Sequence, residues 1–438
     1  MATQAIEQPL AASNAAGSPP ISVDRFASLD AIRGVAVMGI LAMNIVAFAM
    51  PMTAYFNPAA FGGDSGIDLA AWFFNFVLVD SKMRALFSIL FGASTLLVIQ
   101  RAMAGERSAA GAHYSRMLWL LVFGLAHFYL IWFGDILILY ALCGLILFAF
   151  RNLSVKALTI WAVALITLQT LYYSMISLGM LAAQSGAIPP ESAEGLQAAI
   201  REIGASFGTD QSLVTRDLAV YGSGYADIVG LRTSEFLWMP VMGFLQGVLD
   251  TLGLMLIGMA LYKSRMLTGE WLRRRYAKWA LVCFAIALPV VVALALYQIA
   301  SGFDGIAVFA ASIAFSLPFD ILMAVGWAAL IMWLIGRASG STFVAHLAAA
   351  GRMAFSNYLG TSIVMTTIFY GYGLGLFGEV SRAALYLFVI GMWAIILAWS
   401  KPWLERFEYG PLEWLWRSLA RMKLQPMRRL STSPIANH

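Results

Sequence analysis

The chain has 438 residues, of which 61% are hydrophobic and 12% charged, with a net charge of +5 and a mean hydropathy of +0.78. A soluble globular domain is about half apolar and about a quarter charged, so this composition excludes an ordinary water-soluble enzyme and makes lipid the solvent. The apolar residues fall in uninterrupted runs of about 18 or more rather than in short alternating segments, which excludes an outer-membrane barrel.

Taken in chain order, residues 1–24 are rich in Ala, Ser, Pro and Gln and have neither a basic nor an apolar signal region. They read as a flexible tail, not a cleavable signal peptide. Transmembrane helices are expected over 29–50, 83–100, 116–133, 136–150, 156–180, 236–262, 276–300, 306–336, 353–370 and 382–400, with an extra amphipathic or re-entrant piece at 67–80. The fold class is therefore all-α, a polytopic transmembrane bundle of about ten helices occupying residues 25–403.

Charge checks the count independently. With the N-terminus inside, the inner connections carry Arg101, Arg107, Arg116, Arg151 and Lys156, then Lys263 to Lys278, then Arg337 and Arg352. The longest outer loop, 181–235, is acidic. Every connection obeys the positive-inside rule in one orientation, so both termini are expected in the cytoplasm and the protein in the inner (plasma) membrane. Residues 404–438 form a cytoplasmic segment. Within it Pro411 opens an amphipathic stretch to 424, expected to lie on the inner leaflet.

Ionisable residues inside spans cost a few kcal/mol and are functional candidates by default. Counting about 1.5 Å of rise per residue, Asn44 lies roughly 16 Å above Arg33 at the inner end of the first span. His127, the one histidine within a span, and Asp250 fall at a similar depth, with Asp320 somewhat higher. These residues are expected to form a polar layer facing one cavity. The plainer readings are interhelical hydrogen bonding for Asn44, packing for His127 and a local ion pair for Asp30 and Arg33. Asp80, Lys82, Arg84 and Asp135 read as edge residues that snorkel. Cys143 and Cys283 lie in apolar runs and read as packing residues. The chain lacks a phosphate-binding P-loop and the HExxH, GxSxG and CxxC motifs.

The stretch SLDAIRGVAVMGILAMNI, residues 28–45, resembles the opening helix of the large membrane acyltransferase superfamily. Its type-three branch carries a basic residue, ten intervening residues and a catalytic histidine. Here Arg33 is followed at that spacing by Asn44, which is similar to the heparan-glucosaminide acetyltransferase branch, although no histidine follows in AYFNP at 54–58. LFSILFG (86–92), GLAHFYLIWFGDILILYALCG (124–144), LMLIGMALYK (254–263), GRMAFSNYLGTSI (351–363) and GPLEWLWR (410–417) resemble the YeiB-like membrane proteins, whose C-terminal half is a domain of unknown function.

The first functional expectation is an acyltransferase that takes an acyl group from a cytoplasmic donor, acyl-CoA, to a small-molecule or lipid-linked acceptor at or across the membrane. His127 is the expected general base, oriented by Asp250 or Asp135, with Asn44 on the acyl carbonyl. Asp30 and Arg33 at the inner end, with Arg273, Arg274 and Arg275 in the basic loop, are expected to receive the donor. The alternative is a transporter or flippase, with Asp250, Asp320 and His127 as a proton relay or substrate site. Membrane lipid and a second copy of the chain are expected partners. Neither a metal nor nucleic acid is expected.

Overall fold

The structure, a computed structural model, describes residues 23–105, 108–188, 190–338 and 340–429. Most of the N-terminal tail, Arg107 and the last residues of the chain lie outside the described residues. The helices run in the order α1 (Val23–Ala49), α2 (Met52–Phe56), α3 (Gly66–Leu78), α4 (Lys82–Ala104) and α5 (Ala109–Ala126). A π-helical turn, His127–Ile131, ends α5. Next come α6 (Leu137–Leu147), α7 (Val155–Gln184), α8 (Pro190–Phe207), α9 (Gln211–Tyr221), α10 (Tyr225–Ser234), α11 (Met239–Lys263) and α12 (Arg273–Ala300). Then α13 (Gly305–Phe309) passes through a second π-helical turn, Ala310–Phe315, into α14 (Leu317–Arg337). The chain closes with α15 (Thr342–Arg352), α16 (Ala354–Phe369), α17 (Arg382–Arg406) and α18 (Pro411–Ala420).

Among the described residues, eight helical stretches are long and apolar enough to cross a membrane by length and composition. The remaining expected spans differ in detail. The expected span 136–150 is a short apolar helix, and 306–336 breaks at the second π turn into two pieces. The span expected at 353–370 is the 16-residue α16, which buries Ser356, Asn357, Thr361, Ser362 and Thr366 and so sits inside the bundle. Residues 67–80 are helical as α3, which packs on α12 and α17. The connection expected at 181–235 contains α8, α9 and α10, punctuated by the Asp210 cap and by Gly222 and Gly224.

Burial orders the bundle. In α1, 89% of the spanning window is inside the protein, against 17% in α7, so α1 is the central post and α7 a peripheral, lipid-facing helix. Around α1 are packed α4, α15, α16 and α17. One apolar core joins α1, α5, α6, α16 and α17, and a second joins α4, α12 and α14. Between these cores α11 packs on α4, α6 and α7.

Candidate functional site

The segment GLAHFYLIWFGDI builds a tight reversal between α5 and α6. The helix loses its α register at His127, and a π turn is where a helix re-aims side chains. Trp132 and Gly134 then turn the chain back. A Cβ on Gly134 would stand 2.3 Å from the Trp132 indole, so only glycine fits there. On Gly124 a Cβ would stand 2.7 Å from the backbone N of Ile138, so glycine also lets α5 and the start of α6 approach closely. This return carries Asp135 against His127.

Asp135 Oδ2 lies 2.6 Å from His127 Nδ1, and both side chains are 0% exposed. The other carboxylate oxygen, Oδ1, accepts the Ile138 N–H at 2.8 Å, which fixes Asp135 to the start of α6. An acceptor on Nδ1 assigns the proton of the neutral ring to that nitrogen and leaves Nε2 with a lone pair. Nε2 is buried and has no hydrogen-bond partner among the described residues. Two rings flank the imidazole, Tyr358 with its centroid at 5.3 Å and Trp132 at 6.3 Å. Trp132 is itself stacked on Phe48 at 3.9 Å. Asn44 is one helical turn from Phe48, on the same face of α1, and is half-buried.

A cleft of about 960 Å³ rises from the end of the bundle that carries α18. Its deep end is made by Leu120, Leu137, Tyr140 and Tyr358, and its middle by Phe87, Leu90, Phe91 and Met117. Its mouth is polar: Asp30, Arg33, Arg116, Arg352, Lys401 and Arg417 among others. Arg33 donates to Asp30 at 2.7 Å and to Ser94 at 2.8 Å, so one arginine joins α1 to α4 at the mouth. Tyr358 is common to the blind end of the cleft and to the wall of His127.

The cleft is closed on one side by α18. Glu413 Oε1 accepts the Phe355 and Ser356 N–H groups at 2.7 and 3.1 Å, and the Ser356 hydroxyl accepts the Leu412 N–H at 3.0 Å. The two helices, α16 and α18, thus cap each other's first turns. Burial pushes the Glu413 carboxyl above the usual carboxylate range, opposed by the hydrogen bonds from Ser356. Trp416 Nε1 donates to the Arg116 carbonyl at 2.9 Å, and the Arg116 guanidinium lies 4.1 Å from the Trp416 ring centroid.

The expected residues divide into groups. Asp30 and Arg33 line the cleft, and Asp135 partners His127. Asp250 does not partner His127: it pairs with Arg84 at 2.7 Å. Tyr140 links the two places, with its hydroxyl 2.5 Å from Ser88 Oγ. Asp320 pairs with Lys82 at 2.7 Å, with both side chains almost wholly buried. Lys82 and Arg84 therefore do not snorkel at an edge but neutralise carboxylates. Neither Asn44, His127 nor Asp250 lines the cleft, whose blind end stops at Tyr358 and Tyr140, so the shared polar cavity expected from depth alone is not formed there. Arg273, Arg274 and Arg275 are exposed at the first turn of α12, far from the cleft's lining, and Arg275 stacks on Trp271 at 3.7 Å. The reason is that α12 packs on α14 at the periphery. Sequence reasoning sought ionisable residues and so passed over Tyr140, Tyr358 and Trp132. GRMAFSNYL and GPLEWLWR carried the signal for Tyr358 and the α18 wall. Among the described residues no three His, Cys, Asp or Glu side chains gather where they could hold a metal ion.

An all-α bundle with, among the described residues, eight span-length apolar helices and a polar-mouthed cleft defines a polytopic membrane protein. The chain is 32% identical over 402 residues to the uncharacterised protein YeiB of Escherichia coli (strain K12), covering 91% of this chain and 96% of that one. It is 30% identical over 428 residues to the uncharacterised protein YxaH of Bacillus subtilis (strain 168), covering 94% and 98%. Residues 261–423 match the family described as "Protein of unknown function (DUF418)". The chain belongs to this YeiB-like family. No solved structure matches it.

Proposed function

We propose that this protein is a membrane acyltransferase of the inner membrane, with the α18 end in the cytoplasm. The observation that carries the reading is the His127–Asp135 pair, fully buried, with Nε2 lacking a hydrogen-bond partner among the described residues and with the ring 5.3 Å, centroid to centroid, from Tyr358, which also lines the cleft. The cleft suits a donor such as acyl-CoA: cations at the mouth match phosphates, and the apolar depth matches an acyl chain. The phosphates would meet Arg33, Arg116, Arg352 and Arg417, replacing the Arg273–Arg275 cluster in that role.

In this reading neutral His127 Nε2 accepts the proton of an acceptor hydroxyl or amine as that atom attacks the thioester carbonyl. The C–S bond breaks, and the imidazolium returns the proton to the departing thiolate. Asp135 holds the ring in the reactive tautomer and stabilises the imidazolium. Asn44, on the face of α1 that bears Phe48, would donate to the carbonyl oxygen as charge develops. The acceptor would arrive on the α8–α10 side, where Tyr225 of α10 donates to the Leu130 carbonyl of the π turn at 2.9 Å.

The test is acyl-CoA binding and turnover by the purified full-length chain. Binding should saturate, and His127→Ala should cut turnover about 10²–10⁴-fold with little change in affinity. Full turnover in His127→Ala would remove the mechanism. No acyl-CoA affinity, together with a pH-dependent flux lost in Asp250→Asn or Asp320→Asn, would replace it with the transporter. Against the transporter stands the pairing of both carboxylates with cations at 2.7 Å.

A further inference from the structure

A second cleft, of about 660 Å³, opens at the same end of the bundle between the last turn of α4, the first turn of α5, and α18 with the strap 421–426 that follows it. Five cationic side chains line it: Arg101, Arg116, Arg417, Arg421 and Lys423. Among its described lining residues there is no carboxylate, whereas the larger cleft has Asp30, Glu405, Glu408 and Glu413 in its wall.

Three of these cations are positioned by neutral groups, which leave their charge uncompensated. Arg116 stacks on Trp416, Arg417 lies 4.3 Å from the Tyr409 ring centroid, and Arg421 donates to Gln425 Oε1 at 2.6 Å. Burial, with the charges of Arg421 and Arg101, pulls the Arg417 guanidinium below its ordinary value. The strap is fixed in place: Trp414 Nε1 donates to the Gln425 carbonyl at 2.8 Å, and the Ser115 hydroxyl donates to the Ala420 carbonyl at 2.9 Å. The first turn of the 18-residue α5, with Ser108, Gly111 and Ala112, faces the same space and adds the positive end of a helix dipole.

Like charges crowded into one concavity repel each other, and an anion relieves that repulsion. Arginine forks match the oxygens of a phosphate in pairs. We propose that this second cleft is a binding site for a phosphate-bearing ligand, a soluble di- or polyphosphate or an anionic phospholipid headgroup, held by Arg116, Arg417, Arg421 and Lys423. The proposal stands whether or not the protein transfers acyl groups. Arg421 and Lys423 line this cleft and not the larger one, so they separate the two.

The experiment uses the full-length chain in a neutral detergent, titrated with inorganic pyrophosphate by calorimetry at fixed ionic strength. Binding should saturate, weaken as salt rises, and fall about tenfold or more in Arg421→Gln/Lys423→Gln. Both residues are exposed, so that variant keeps its fold. Arg273→Gln/Arg274→Gln removes equal charge elsewhere and should leave the affinity unchanged. A second arm compares phosphatidylcholine nanodiscs with and without phosphatidylglycerol. Suppression of pyrophosphate binding by phosphatidylglycerol assigns the site to a lipid headgroup, and indifference assigns it to a soluble phosphate; both support the site. Absence of saturable pyrophosphate binding with no phosphatidylglycerol preference overturns it. An equal loss in Arg273→Gln/Arg274→Gln does so as well.

Discussion

On the α11–α14 side of the bundle, Asp250 lies 2.7 Å from Arg84 and Asp320 lies 2.7 Å from Lys82. On the α5–α6 side, Asp135 meets the Ile138 N–H and a histidine in place of a permanent cation, and the Nε2 of that histidine has no hydrogen-bond partner among the described residues. In the first arrangement each carboxylate faces a permanent cation. The second is open by one lone pair beside the blind end of a cleft. Within one membrane protein, then, a buried carboxylate is not by itself the mark of a site. What distinguishes the site is an unmatched partner.

Substitutions at the two places should break in different currencies. The largest effect is expected at His127. His127→Ala should lower acyl transfer about 10²–10⁴-fold while the chain still folds in detergent, with a lowered unfolding temperature because Asp135 loses its buried partner. Asp135→Asn should also lose activity, by favouring the wrong tautomer. Collapse of the fold in both variants would place this pair with the structural ones.

The paired side should behave oppositely. Lys82→Met leaves Asp320 charged and buried, at a cost of about 3–5 kcal/mol. The double variant Lys82→Met/Asp320→Leu should recover most of that loss, since replacing both partners by apolar groups is often neutral. Thermal unfolding of the three chains measures this. A double variant no more stable than the single one would mean that the pair does more than neutralise itself.

A smaller effect is expected where α18 closes the cleft. Glu413→Ala leaves the Phe355 and Ser356 N–H groups unpaired, at a cost of about 1–3 kcal/mol, and amide hydrogen exchange at those residues should speed up. Glu413→Gln should cost much less. Because burial raises the folded carboxyl above its unfolded value, protonation favours the folded state. Its contribution is full at pH below the ordinary carboxylate range and is lost as pH rises through the raised value. Glu413→Gln should flatten that slope in a stability–pH profile. The smallest effect belongs to Arg274→Gln at the exposed start of α12, within about 0.5 kcal/mol of wild type. A larger loss in its unfolding temperature would show that the periphery is not inert.

Much of the architecture was legible in the chain because lipid imposes it. Long apolar runs become helices, since a backbone in hydrocarbon must satisfy its own hydrogen bonds. The stretch opened by Pro411 is helical from the residue where proline fits a first turn, although the helix ends at Ala420 rather than 424. The helices α8, α9 and α10 lie within the connection 181–235, where hydropathy marks no span. Arg33 and Asp30 were legible as an i,i+3 pair, because a helix fixes that spacing without help from any neighbour.

The sequence by itself determined how far apart two residues of one helix lie along its axis, since rise along a helix is a one-dimensional quantity. It could not determine which way each residue points around its helix axis, because azimuth is set by packing against other helices. That is why Asp250, expected at the depth of His127, pairs instead with Arg84, while Asp135, read as an edge residue, is brought against His127 by a π turn and two glycines. The same limit hid the basic clefts. The cationic run at 273–275 is dense in sequence and stands alone in space. Arg101, Arg116, Arg417, Arg421 and Lys423 are scattered along the chain, and three helix ends bring them together.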